Sequence, residues 1–182
     1  MDGKLIEKAV EMAVRCHGEQ KWGPFPYIVH LDKTARIFDS FFVRTGRRKG
    51  ELAGEDTGVI SCYLHDILED TPCTKEEIGN TFTWLVADIV EALTDPKEGT
   101  REEKKEVVFT RLAQNSFVGE IGLEVKLCDR LANVRMAKFL GDKSRQGVYL
   151  KEHQRMIEFG FSDRNQSTRL LMDNILKELL SF

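Results

Sequence analysis

A chain of 182 residues suits one domain and is short for two. With 41% hydrophobic residues, 31% charged residues and a net charge of −3, it can bury a sizeable core and carries no general basic footprint for nucleic acid. Its 4 Pro and 14 Gly exclude collagen-like and low-complexity classes, and no run approaches the ~18 apolar residues of a membrane span.

The charged start, Met1 to Lys8, lacks the apolar region of a secretory signal, so a cytoplasmic domain is expected. The four cysteines (Cys16, Cys62, Cys73, Cys128) are scattered without CxxC spacing and read as reduced thiols, mostly core filler.

The pattern is helical nearly everywhere. Leu5, Ile6, Ala9, Val10, Ala13 and Val14 form the apolar face of a helix ending near His17. Gly18 to Pro26 is a loop, since neither of its prolines fits a helix interior. A second helix is expected over Ile28 to Val43, then a polar connection over residues 45–55 with Arg44, Arg47, Arg48 and Lys49 clustered on it.

Asp56 or Thr57 can cap a third helix running through Val59, Ile60, Leu64, Ile67 and Leu68 until Pro72 stops it. Capping boxes at Thr74–Glu77 and Thr100–Glu103 open two more helices, with another expected from Phe82 to Leu93. Helices over Thr100 to Gln114, Leu123 to Leu140, Ser144 to Phe159 and Asp163 to Leu180 complete a single all-α domain. The last is amphipathic and either packs into the core or provides a contact in a homo-oligomer.

Chemistry concentrates in His65-Asp66-Ile67-Leu68-Glu69-Asp70. On a continuous helix their i,i+3 and i,i+4 spacings put the imidazole and three carboxylates on one side. Such a group suits a divalent ion of the Mn, Fe or Zn class; the alternative is a helix end with solvated acids. His30, after the Pro-stiffened loop, is either a ligand or a structural histidine. Asp129 and Asn133 share one face of a later helix.

Together, PYIVH (Pro26 to His30), LHDILEDT (Leu64 to Thr71), EALT (Glu91 to Thr94) and VKLCDRLAN (Val125 to Asn133) closely resemble the hydrolase domain of the RelA/SpoT-type alarmone enzymes, a branch of the HD metal-dependent phosphohydrolases. In length the chain is most similar to the stand-alone small alarmone hydrolases. The resemblance implies a single HD-domain helical bundle with His30, His65, Asp66 and Asp129 holding Mn²⁺. It also implies Glu69 and Asp70 as the hydrolytic pair, and Asn133 near the nucleotide. The implied reaction removes pyrophosphate from the ribose 3′ position of ppGpp or pppGpp, with a small-molecule nucleotide as partner and neither nucleic acid nor membrane involved.

Departures fall in substrate recognition. Where many family members carry an Arg-Lys pair, this chain has Gln20-Lys21-Trp22-Gly23-Pro24-Phe25, and Met136 stands three residues past Asn133 where threonine is common. Lys21 and Arg135 are the preferred phosphate contacts among Lys97, Arg101, Lys104, Lys126, Arg130 and Arg145. Trp22 either stacks on a purine or anchors its loop. His17 is expected to pack, and His153 to sit at the surface. Two rivals keep the metal centre: a nucleotidase or pyrophosphatase acting on another phosphorylated nucleotide or a cofactor such as NADPH, and a non-catalytic nucleotide-binding module.

Overall fold

The structure, a computed structural model, describes residues 3–43 and 54–182; the expected connection over residues 45–55 lies almost wholly outside them. Among the described residues the helices are α1 (Gly3–His17), α2 (Ile28–Phe38), α3 (Gly54–Leu64), α4 (Ile67–Asp70), α5 (Lys75–Thr81), α6 (Trp84–Leu93), α7 (Arg101–Ala113), α8 (Phe117–Leu140), α9 (Lys143–Glu158) and α10 (Gln166–Leu180). A π-helical stretch at Asp39–Val43 continues α2 to the expected residue. The loop before α2 is more regular than expected. Its two-residue strands β1 (Lys21–Trp22) and β2 (Phe25–Pro26) pair antiparallel around Gly23, whose φ of 58° suits only a residue without a Cβ.

α8 is the axis of the fold. Every residue from Ile121 to Ala132 is buried, because α2, α3, α6, α7, α9 and α10 all pack on it. A helix covered all round shows no polar stripe, so its start is hard to read. It begins at Phe117 rather than Leu123, where the Ser116 hydroxyl accepts from the Gly119 N–H at 3.0 Å. Both expected capping boxes form. A third, Asn165 with Thr168, starts α10 at Gln166, after a 3-10 turn at Phe161–Asp163.

Four expectations are corrected. The third helix starts at Gly54, upstream of Asp56 and Thr57, and it does not run through Leu68. It stops at Leu64, the chain turns at His65–Asp66, and α4 follows. Cys16 and Cys73 are not free thiols but a disulfide with Cα atoms 6.7 Å apart, tying the end of α1 to the segment after α4. Cys62 and Cys128 are free and buried. His153 is 4% exposed, because α9 turns it inward with Tyr149, Glu152 and Met156.

α2 and α3 approach closely because Gly58 has no side chain. A Cβ there would lie 2.1 Å from Cζ of Phe38, a ring with no exposed surface. Gly58→Ala is therefore expected to lose about 1–3 kcal/mol in urea denaturation. Wild-type stability would show that the Phe38 ring can yield.

Candidate metal centre and active site

Three parts of the chain deliver the central side chains. His30 comes from the first turn of α2, His65 and Asp66 from the turn after α3, and Asp129 from the middle of α8. The imidazoles are 1% and 2% exposed, so their orientation decides what they can bind. Their Nε2 atoms face each other at 3.2 Å. Asp66 Oδ2 lies 2.9 Å from His65 Nε2 and 3.6 Å from His30 Nε2; Asp129 Oδ1 lies 3.3 Å from His30 Nε2 and 3.7 Å from that of His65.

Two nitrogen donors and two carboxylate oxygens thus converge on one buried spot, and ligand atoms of His30, His65 and Asp66 all lie within 4.8 Å of one another. Such a set needs positive charge at its centre. Burial lowers the proton affinity of both imidazoles, but Asp129 and Asp66 outweigh it; His65 is pushed up to about 10 and His30 is raised. Burial would raise Asp66 and Asp129. The charge of His65 acting mainly on Asp66, Lys126 acting mainly on Asp129, and bonds from both imidazoles hold the two well below the ordinary carboxylate range. A divalent ion supplies the same charge with the mixed N and O ligands it prefers, so the donor set fits one.

The turn at His65–Asp66 makes this arrangement. It brings the His65 Nδ1 edge to 2.8 Å from the Cys62 carbonyl, which then accepts the ring N–H and leaves Nε2 free for a ligand. Glu69 and Asp70, on α4, are exposed at the pocket mouth instead of sharing one helical face with His65. Glu69 accepts from the Asp95 backbone N–H at 3.1 Å, and partial desolvation raises its carboxyl despite that bond. Asp70 accepts from Gln20 at 2.8 Å, and Gln20 in turn meets His17, which is packed as expected. The Tyr27 hydroxyl donates to Asp66 at 2.5 Å; burial and that carboxylate strongly raise its own proton affinity.

Tyr27, Asp66, Glu69, Asp70 and Asp129 line a pocket of about 190 Å³ together with five cationic side chains, Arg101, Lys105, Lys126, Arg130 and Arg145, and with Tyr149. Arg130 is 4% exposed, lies 4.4 Å over the Tyr149 ring and donates to Glu152, which also holds Arg101 at 2.6 Å. Its Nη1 is buried without a hydrogen-bond partner among the described residues.

Neither of the preferred phosphate contacts lines this pocket. Lys21 is exposed on β1 and outside the pocket lining. Arg135 lies two residues past Asn133, about 200° around the helix. It pairs with Glu178 at 3.3 Å and lines a separate apolar groove. Asn133 does line the pocket, bonded to Asp129. Lys105 and Glu152 were not singled out, yet both carried a signal. Lys105 shares the buried face of α7 with Val108, Phe109 and Leu112, where a charge needs a partner, here Asp95 at 2.6 Å.

No protein-family model matches the chain. A Xenopus tropicalis protein named guanosine-3′,5′-bis(diphosphate) 3′-pyrophosphohydrolase MESH1 is 33% identical over 141 residues, covering 75% of this chain and 72% of that protein. The chain belongs to the MESH1 family. An Aquifex aeolicus protein with the same enzyme name is 32% identical over 146 residues, 79% of this chain but 19% of its own length. For a Spiroplasma citri protein so named the figures are 31% over 147 residues, 79% and 18%. The chain therefore spans under a fifth of the length of these bacterial relatives. A solved structure described as a metazoan ortholog of SpoT that hydrolyzes ppGpp superposes with a TM-score of 0.71 at 20% identity, covering 96% of this chain and 94% of that one. The fold of that chain is thus shared almost end to end.

On the reading that this donor set holds a cation, the ion must displace the proton that the neighbouring carboxylates favour on His65, so metal affinity is expected to fall as pH drops below about 10. Competition with a chelator should show about a tenfold loss per pH unit for each proton displaced. An affinity independent of pH between 7 and ~10 would place the metal elsewhere.

Proposed function

We propose that the protein is a Mn²⁺-dependent 3′-pyrophosphohydrolase of guanosine alarmones, acting in the cytoplasm and converting ppGpp to GDP and pppGpp to GTP, each with release of pyrophosphate. The observation that carries this reading is one pocket lined both by Asp66 and Asp129 of the donor set and by five cationic side chains. The enzyme names of the relatives support it.

His30, His65, Asp66 and Asp129 would hold the ion, which supplies Lewis-acid charge to the phosphate and acidifies water at neutral pH. Arg130, with its unpartnered Nη1, and Arg101, Arg145 and Lys126 bind the oxygens of the 3′-pyrophosphate. They offset the charge that the pocket's carboxylates set against an anionic substrate. Glu69, whose raised carboxyl suits a group that takes a proton and then gives it back, removes a proton from the attacking water. The hydroxyl joins the phosphorus next to ribose O3′, the O3′–P bond breaks, and the proton passes to O3′. Gln20 keeps Asp70 turned to the same mouth, where it supports the proton transfer.

Metal-stripped protein incubated with ppGpp is expected to give equimolar GDP and pyrophosphate only when Mn²⁺ is restored. Orthophosphate release, or activity confined to NADPH or another nucleotide, would overturn the substrate assignment. Glu69→Gln should keep its metal and lose about 10²–10⁴-fold in kcat. An unaltered rate would remove Glu69 from the mechanism. Arg130→Met should raise KM more than it lowers kcat if the guanidinium binds ground state and transition state alike; a pure kcat loss would give it a transition-state role instead.

A further inference from the structure

The two imidazoles of the donor set are not held alike. His65 has its Nδ1 edge fixed by the Cys62 carbonyl at 2.8 Å, whereas His30 Nδ1 is buried with no hydrogen-bond partner among the described residues. A ligating histidine ordinarily relies on its second nitrogen to set the ring plane. Ring packing must do that for His30. Trp22 lies against it with centroids 4.9 Å apart, Tyr27 edge-on at 5.3 Å.

Trp22 also reaches the opposite side of the centre. Its indole N–H donates to Asn133 Oδ1 at 2.9 Å, and the Asn133 amide donates to Asp129 Oδ1 at 2.5 Å. The first bond fixes which end of the amide is oxygen, and so turns the NH₂ group toward the carboxylate. One side chain, 9% exposed and carried on β1, thus touches His30 from α2 directly and Asp129 from α8 through one intermediary.

We infer that Trp22 is a positioning residue of the metal centre: its ring sets the plane of His30 and its N–H, through Asn133, sets the Asp129 carboxylate. This rests on the reading that His30, His65, Asp66 and Asp129 hold a cation. The tryptophan is committed to the centre by both its face and its nitrogen and is not free to stack on a nucleotide base. Asn133 is committed on both sides of its amide. The β1–β2 hairpin is therefore a support of the metal site.

The test is a Mn²⁺ binding isotherm, read from the electron paramagnetic resonance of the free ion, with thermal midpoints of the metal-free proteins alongside. Trp22→Leu, which loses ring and N–H, is expected to bind about 10–100-fold more weakly. Trp22→Phe keeps an aromatic ring in the core, guarding against a folding failure, and should weaken binding less. Asn133→Ala should weaken it about as much as Trp22→Phe, and the double variant no more than Asn133→Ala alone, because the two act in series. Wild-type affinity in both Trp22 variants, or losses that add in the double variant, would overturn the inference. A merely structural role would lower the metal-free midpoint and leave the isotherm unchanged. Weakened binding in a protein that releases no pyrophosphate from ppGpp would uphold the brace and overturn the alarmone reading. Unaltered binding with full alarmone hydrolysis would do the reverse.

Discussion

The structure depends on keeping four electron-rich side chains pointed at one another inside the protein. Two imidazole nitrogens 3.2 Å apart and two carboxylates within 3.7 Å of them would separate without a positive charge between them and a scaffold around them. α8 provides the scaffold: Asp129 sits where the helix is buried on all sides and cannot swing away. α2 and α3 then bring the histidines against it, at a spacing that Gly58 permits.

The remaining charges are arranged around this concentration of negative charge. Lys126 lies one turn before Asp129 on α8 and reaches its second carboxylate oxygen at 3.3 Å. Arg130 is drawn into the interior because Glu152 accepts from it and Tyr149 receives its planar face. The resulting pocket has carboxylates and cationic side chains in one lining. Lys105 is paired with Asp95 in the pocket lining, where burial and Lys126 lower its proton affinity.

The fold class was legible in the sequence because it depends on local signals, whereas the central side chains were drawn together by the resemblance of four separated motifs. Helical periodicity, two capping boxes and a proline-stiffened loop placed most elements within a few residues of their bounds. The His65-Asp66 break was not legible: Leu64, Ile67 and Leu68 continue a helical period across it, and only tertiary structure shows the His65 ring at the Cys62 carbonyl. Nor was the start of α8, where Gly119 and Gly122 argue against helix while close packing favours them. Lys21 and Arg135 lie near the motifs in sequence but outside the pocket lining. Arg130 and Arg145 reach the pocket from helical positions that face it, and Lys105 does so from a core stripe.

The Cys16–Cys73 bond has a bearing on where the ligands are when the chain is not folded. It closes a ring with a sequence separation of 57 residues. That ring encloses His30, His65, Asp66, Glu69 and Asp70, while Asp129 lies outside it. An oxidised chain that unfolds keeps His30, His65 and Asp66 on one covalent tether, and loop-closure entropy alone favours the folded form by about 4 kcal/mol over the open chain. In a reducing compartment the ring opens and that contribution disappears, leaving helix packing on α8 to bring His30, His65 and Asp66 to Asp129. The same sequence thus has two assembly regimes for one site, one with a covalent tether and one without it.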